Sequence, residues 1–303
     1  MVRQYEAFCK LHRYSAFPIT QHPLTHFIAD EAPKHMAGYM TQLVASLKSH
    51  QIDCGHGNEI FQNNEQIKRI LRGVKIVSGL KPKIIRLPIT KDIVIKLVAQ
   101  CNSSFNGSTM RAAICTAFAG FLRTGEFTYN LWNSSSHQTQ VSRGALKFNK
   151  DSVTLTLPKS KTDPFGKGVP ISMPATGDST CPRGALKMLL AKYPAPANAP
   201  LFTCNNQFGY RCGMFFTRTW FLNQLRDLLI NAGMNPLGYN GHSFRKGAAH
   251  SAAAAGMSSE DIKVLGRWKS DAYKLYTGHD DVRRLHLAMQ VNTKLQPTAP
   301  RPQ

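Results

Sequence analysis

A histidine and an arginine lie one helical turn apart in residues 240–247, NGHSFRKG. Ser243 is a favourable helix N-cap residue and predicts a helix start there, with His242 just before it and Arg245 in its first turn. The first backbone N–H groups of a helix lack partners within the helix and favour an anion. We therefore expect both side chains to face one anion-binding point.

The residues that follow are compatible with other interpretations. Gly256 predicts a turn, and Ser258 or Ser259 can cap a second helix. Helix, glycine turn and helix is also how a helix-turn-helix DNA-docking motif begins. A packed helical hairpin without any chemistry fits equally well. The question is whether other segments supply matching groups.

Two segments do. Arg123 and Glu126 lie in GFLRTGEF, at the end of a nearly all-apolar helical run. Lys159 and Lys161 lie in KSKTDPFGKG, a turn-like stretch between VTLTL and VPISM. These two segments alternate apolar and polar residues, which predicts an antiparallel hairpin with a lysine-rich turn.

The elements expected to position these groups are mainly α-helical, with one small antiparallel β-sheet. Apolar spacing predicts helices within residues 35–50 and 64–79, and the basic, proline-containing residues 80–89 are typical of a linker. Thr90 is expected to cap the next helix, and Ser108 to begin the apolar one. A further helix is predicted over residues 214–232, and residues 291–303 are expected to be disordered.

Charge bounds the function. The 303 residues include 38 Lys and Arg against 17 Asp and Glu, a net charge of +21, which favours a polyanionic partner such as nucleic acid over a basic enzyme with a solvated surface. No apolar run is long enough to span a membrane, and no signal peptide is expected. The seven cysteines form no C-x-x-C, so we expect a reducing, intracellular setting and no metal site.

Arginine, lysine, His-x-x-Arg, tryptophan and tyrosine follow one another in an order that resembles the tyrosine recombinase (phage integrase) family. GFLRTGEF is similar to the first box of that family, with Arg123 as its arginine and Glu126 as the acid three residues later. The hairpin lysine of the family corresponds to Lys161, with Lys159 as the alternative.

The later motifs extend the resemblance. His242 and Arg245 match the H-x-x-R box, and Trp268, 23 residues after Arg245, matches the family's later His or Trp. Tyr276 corresponds to the nucleophile, although it follows Trp268 by eight residues where nine is usual; Tyr273, at five, is too early. The form LGRWKSDAYKLY is most similar to recombinases of eukaryotic mobile elements, crypton-like or DIRS-like.

The resemblance implies DNA cleavage and rejoining without a metal ion or cofactor. The tyrosine oxygen attacks the scissile phosphate, a 3′-phosphotyrosyl link forms and a 5′-hydroxyl leaves. The arginines stabilise the added negative charge, because a guanidinium donates two parallel hydrogen bonds and stays protonated. The lysine acts as general acid, the histidine as phosphate donor or base, the tryptophan as indole donor and apolar wall, and Glu126 as support. The implied catalytic residues are Arg123, Lys161, His242, Arg245, Trp268 and the nucleophile Tyr276.

The implied domains are a helical core-binding (SAM-like) module of residues 1–79, shortened at its N-terminus, and a catalytic domain of residues 90–290. Double-stranded DNA is the expected partner, clamped between the two. The basic residues expected along its phosphates are Lys81, Lys83, Arg86 and Lys159. A homotetramer on paired sites is expected, with residues 280–294 passed to a neighbour. The expected location is nuclear for a eukaryotic source and cytoplasmic otherwise.

Two alternatives stay open. A domesticated DNA-binding protein that keeps the fold and has lost cleavage is favoured by the short interval from Trp268 to Tyr276. A type IB topoisomerase shares the chemistry and relaxes supercoils without a defined site.

Overall fold

The structure is a computed structural model that describes residues 1–62, 64–79, 86–133, 135–158, 166–205, 211–212 and 215–273. The chain divides into two compact units, Met1–Ile84 and Ile85–Gln303. The fold is mainly helical with a small antiparallel sheet, which confirms the predicted class. Within the described ranges, no helix has the length and apolar character needed to cross a membrane.

The first unit is helical. Its helices are α1 (Val2–Leu11), α2 (Gln21–Glu31), α3 (Ala37–Asp53) and α4 (Glu65–Gly79). Each turns an apolar stripe inward, as the three- and four-residue spacing predicts. Tyr5, Phe27 and Met40 are sealed in the shared core, where the Tyr5 and Phe27 rings meet edge to face at 5.2 Å. The predicted loop between α3 and α4 contains a short 3-10 turn, Glu59–Phe61.

The second unit is built around one buried helix. Its helices are α5 (Lys91–Ala99), α6 (Phe105–Ala119), α7 (Pro182–Lys192), α8 (Arg218–Asn231), α9 (Ser243–Ala254) and α10 (Ser259–Gly266). Nine of the fifteen residues of α6 are buried, because most of its side chains are apolar or small. The helix predicted for this nearly all-apolar run is present.

Two predicted helix starts were wrong by one turn. The cap of α6 is Ser104, whose hydroxyl accepts the Gly107 N–H at 3.1 Å, so Ser108 lies inside the helix. Helix α8 begins after Thr217, whose hydroxyl accepts the Trp220 N–H at 3.0 Å. In both segments several residues could cap, and the sequence pattern does not decide among them.

A three-stranded antiparallel sheet lies against the core. Its strands are β1 (Leu146–Phe148), β2 (Ser152–Leu157) and β3 (Val169–Pro174), in that order, and a second pair is formed by β4 (Cys204–Asn205) and β5 (Arg211–Cys212). Leu155 pairs with Ile171, and the alternate residues of β2 face inward with no exposure. The predicted hairpin of β2 and β3 is confirmed. Lys159 and Lys161 follow β2 in the chain and lie outside the described residues.

Candidate active site

Arg123 leaves the core where α6 ends. Phe121 takes a left-handed conformation, with φ of +49°, and Leu122 is completely buried. The chain turns at these residues, and Arg123 begins the short 3-10 turn Thr124–Glu126. The Arg123 side chain stays 26% exposed, so this arginine remains partly open to solvent.

Glu126 holds two arginines with one carboxylate. It accepts the Arg123 backbone N–H at 2.8 Å and the Arg123 Nη1 at 2.7 Å. It also accepts Nη2 of Arg267 at 3.0 Å, and its own side chain is only 7% exposed. Arg267 donates further to the Gly120 carbonyl at 2.9 Å. Charge-assisted bonds of this kind are short and directional, so they fix the orientation of Arg123.

His242 caps α9. The structure makes His242 the N-cap and Ser243 the first helical residue, so the predicted cap was wrong by one position. The Ser243 hydroxyl instead accepts the Asn240 N–H at 2.9 Å, and Asn240 Oδ1 accepts the His242 N–H at 2.9 Å. This reciprocal turn keeps the serine side chain out of the capping position. The expected placement of Arg245 in the first turn is confirmed.

Hydrogen bonds join the GFLRTGEF segment directly to the residue before the H-x-x-R box. The hydroxyl and the backbone N–H of Thr124 both donate to the Gly241 carbonyl, at 2.7 Å and 3.3 Å. A methyl group on Gly241 would lie 2.7 Å from Thr124 Oγ1, so only glycine allows this approach. Arg123 precedes Thr124 and His242 follows Gly241, so this contact brings the two predicted site residues to one place.

Arg245 is turned inward. It is 2% exposed, its Nη1 donates to the Phe121 carbonyl at 2.9 Å and its Nη2 donates to the Gly266 carbonyl. The guanidinium carbon lies 4.4 Å from the centroid of the Trp268 ring. Arg245 therefore ties the end of α6 to the end of α10. The Trp268 ring and the Gly266 carbonyl cover the guanidinium in this conformation.

The two aromatic residues after α10 have different surroundings. Trp268 packs edge to face on Phe121, with ring centroids 6.4 Å apart, and its ring covers Gly266. Tyr273 is 2% exposed within a small apolar cluster of α9 and α10. Tyr276 lies outside the described residues.

The segment that begins at Arg86 lies beside the H-x-x-R box and its flanking residues. Leu87 N–H donates to the Gly238 carbonyl at 3.0 Å, and Lys246 Nζ donates to the Arg86 carbonyl at 2.6 Å. The Arg86 side chain is exposed. Of the four basic residues expected along DNA, Arg86 is the one that falls within the described ranges; Lys81, Lys83 and Lys159 lie outside them.

His242 lies in a strongly positive field. Neighbouring protein atoms displace part of its hydration and lower the pKa of the imidazole. Four positive charges lower it further: those of Arg86, Arg123, Arg218 and Arg245. The ring keeps contact with solvent. The site therefore combines a histidine whose charged form is disfavoured with a concentration of guanidinium groups, an arrangement that attracts an anion. Among the described residues, no three His, Cys, Asp or Glu side chains are grouped to hold a metal ion.

The fold is shared with recombinases of known structure. XerH site-specific recombinase bound to palindromic difH substrate matches with a TM-score of 0.62 at 15% identity, over 95% of this chain and 76% of that chain. The Tn1549 transposon integrase in complex with circular intermediate DNA matches with a TM-score of 0.56 at 14% identity, over 90% and 85%. A lambda integrase dimer bound to a COC′ core site matches with a TM-score of 0.50 at 16% identity, over 93% and 72%. The chain thus has the fold of tyrosine recombinase catalytic domains.

Sequence comparison gives no family by itself. No protein-family model matches the chain, and no curated protein matches it. At the identities above, the likeness is one of fold.

Three residues of the site were missed from the sequence. Arg218 contributes to the field at His242, Arg267 shares Glu126, and Thr124 bonds Gly241. Arg267 directly precedes Trp268, which was a usable signal. Neither Arg218 nor Thr124 lies in a pattern that sets it apart, because their contacts come from residues distant in the chain.

Proposed function

We propose that this protein is a site-specific tyrosine recombinase that cleaves and rejoins DNA through a 3′-phosphotyrosyl link at Tyr276. One observation carries the proposal. Thr124 and Gly241, 117 residues apart in the chain, are hydrogen-bonded to each other, and this places Arg123 and His242 together within a recombinase fold. Two unrelated motifs that matched the family pattern by chance would have no reason to be joined by such a bond.

The catalytic role proposed for each site residue follows from the chemistry of its side chain. Arg123 and Arg245 stabilise the charge that develops on the non-bridging phosphate oxygens. Removal of one preorganised donor of this kind typically costs about 3–4 kcal/mol of transition-state stabilisation. His242 donates to the phosphate or helps to take the tyrosine proton. Lys161 protonates the leaving 5′ oxygen, and Trp268 covers Arg245 until DNA is bound.

The proposed partner is double-stranded DNA. The net charge of +21 supports it, as do the DNA-bound states named for XerH and the Tn1549 integrase. Affinity that rests on phosphate contacts falls steeply with salt. Four further proposals rest on the resemblance of the sequence motifs: the homotetramer, the transfer of residues 280–294 to a neighbour, the origin in a crypton-like or DIRS-like element, and a location that is nuclear for a eukaryotic source and cytoplasmic otherwise.

A second function is favoured by one contact. Arg245 is 2% exposed, and both its terminal nitrogens donate to backbone carbonyls. Such an arginine can be purely structural, as in a domesticated DNA-binding protein that no longer cleaves. The eight-residue interval between Trp268 and Tyr276 points the same way.

Covalent trapping separates the two functions. A nicked suicide duplex made from the DNA that flanks the coding sequence is incubated with wild type, Tyr276→Phe and Tyr273→Phe, and adducts are resolved under denaturing conditions. The recombinase gives an adduct with wild type and Tyr273→Phe and none with Tyr276→Phe. Tyr273→Phe is the matched control, because it removes a hydroxyl from a buried ring three residues away. Absence of adduct from all three, on DNA that the protein demonstrably binds, establishes the binding-only function.

A further inference from the structure

Arg218 lies against Gly241, the residue before the H-x-x-R box, although no motif of the sequence includes Arg218. It is the first residue of α8, after the Thr217 cap, and its side chain is exposed. A methyl group placed on Gly241 would lie 3.1 Å from Arg218 Nε and 3.2 Å from its Nη2. The guanidinium of Arg218 and the hydroxyl of Thr124 therefore border the same spot, directly before His242.

Arg218 differs from Arg123 and Arg245. Arg123 is ion-paired to Glu126, and Arg245 is buried on backbone carbonyls. In the part of the chain that the structure describes, Arg218 makes no ion pair. Its charge is instead one of those felt by His242. Holding an uncompensated guanidinium beside other cations is unfavourable, and an anion at the same place relieves it.

The N-termini of two helices lie near the same place beside Gly241. Arg218 and His242 stand at the N-termini of α8 and α9, helices of 14 and 12 residues. The free N–H groups and the positive ends of the helix dipoles favour negative charge there. A guanidinium fork next to two such ends matches a phosphate, whose oxygens accept parallel hydrogen bonds.

We propose that Arg218 binds a DNA backbone phosphate beside the one held by Arg123 and His242. The inference rests on the proposed function and adds a contact that positions the duplex. It does not make Arg218 a catalytic residue, because its guanidinium lies against the Gly241 backbone. Phosphate contacts fix the register of a protein on DNA without reading its sequence. Arg218 thus contributes affinity for every duplex alike.

Salt-dependent binding of labelled duplexes of several unrelated sequences tests this, by fluorescence anisotropy from about 50 to 200 mM salt. Arg218→Ala is expected to weaken binding roughly tenfold on every duplex and to lower the slope of log K against log salt by about 0.9, the loss of one phosphate contact. Arg218→Lys is expected to keep most of the slope, since it keeps the point charge.

Arg226→Ala is the matched control. It removes the same charge from an exposed residue of the same helix, about 12 Å further along the axis. The control is expected to leave affinity and slope unchanged. Equal losses of affinity and slope in Arg218→Ala and Arg226→Ala would show that only the net charge of the protein matters, which overturns the proposal. An unchanged slope, or a loss confined to particular sequences, makes Arg218 a base reader or a bystander and also overturns it.

The outcomes distinguish this inference from the function on which it rests. Circular dichroism and the melting temperature check that the variants are folded; where the alanine variant is not, Arg218→Gln carries the test. If wild type binds no duplex, the proposed function fails as a whole. If wild type binds and forms the Tyr276 adduct while Arg218→Ala matches wild type, the Arg218 proposal alone fails.

Discussion

The hydroxyl of Thr124 donates to the carbonyl of Gly241 at 2.7 Å, across 117 residues of chain. Both partners are buried, so the bond is shielded from competition with water. It joins the residue that follows Arg123 to the residue that precedes His242.

Removal of this bond should damage activity more than stability. Thr124→Val keeps the shape of the side chain and leaves the weaker backbone bond to Gly241. A typical hydrogen bond contributes about 1 kcal/mol to stability, and a loss of that size is expected in urea denaturation. Adduct formation should fall by roughly 10- to 100-fold, because a displacement of about 1 Å is costly to catalysis.

Thr128→Val is the matched control for that variant. The Thr128 hydroxyl donates to the Thr124 carbonyl at 2.9 Å, and Thr128 is also buried. It should lose similar stability and keep adduct formation. Equal activity losses from the two valine variants would remove the special role of the Thr124 bond.

Glu126 should be a determinant of stability. Glu126→Gln removes the charge that holds Arg123 and Arg267. Hydrogen bonds to charged groups contribute about 1.5–3 kcal/mol, so a destabilisation of about 2 kcal/mol is expected in urea. Asp271→Asn breaks the exposed ion pair to Lys263, 2.7 Å long with Asp271 56% exposed, and should cost less than about 1 kcal/mol. The reverse ranking would show that the Glu126 carboxylate is not what orders Arg123.

A methyl group at residue 266 should displace the tryptophan that covers Arg245. In Gly266→Ala the added carbon would lie 1.5 Å from Trp268 Cζ3, and overpacking of this kind costs about 1–3 kcal/mol. Gly73→Ala is the control, because nothing lies within 4 Å of its added carbon and alanine is favoured in a helix by about 1 kcal/mol. Thermal melting measures both changes.

Combination with Trp268→Ala tests the cause. If the clash with the ring is responsible, the double variant is less destabilised than the sum of the two single variants. Simple additivity would place the cost of Gly266→Ala elsewhere.

The two equilibria of His242 should respond to pH in opposite directions. Its pKa in the free protein is lowered, first by partial burial and then by the surrounding arginines. The unfolded chain therefore binds this proton more tightly, and stability falls as pH drops through the unfolded pKa of about 6.5 toward the folded value. A bound phosphate raises the pKa of His242, so DNA binding takes up a proton at this residue. The affinity for DNA should therefore rise as pH drops through the same window.

His242→Gln should flatten both dependences, as measured by chemical denaturation and by the pH dependence of the dissociation constant. His137→Gln, at an exposed residue of the same unit, should leave both as in wild type. Retention of the full pH response in His242→Gln would assign the proton to another group.

The parts of the fold that sequence predicts well are those set by local pattern. The alternation of VTLTL places Val153, Leu155 and Leu157 inside with no exposure, because side chains of a strand point to opposite faces in turn. The nearly all-apolar run of α6 likewise predicts a largely buried helix. Helix starts follow less directly from the pattern: serine at residue 104 or 108 can cap a helix, and in the structure Ser104 is the N-cap of α6.

The candidate site was predictable only as an order of residue types. The inward turn of Arg245 depends on carbonyls of Phe121 and Gly266, which lie 124 and 21 residues away in the chain. The contacts of Thr124 and Arg218 at Gly241 are equally nonlocal. No spacing rule contains such information, because it arises from how α6, α8 and α9 meet.

The most direct test of the account is to identify the residue that becomes linked to DNA. The trapped complex is digested with protease and nuclease, and the nucleotide-bearing peptide is sequenced by mass spectrometry. The account predicts a nucleotide on Tyr276 in wild type and in Tyr273→Phe, and none in Tyr276→Phe. A nucleotide on any other residue, or none at all on DNA that the protein binds, contradicts it.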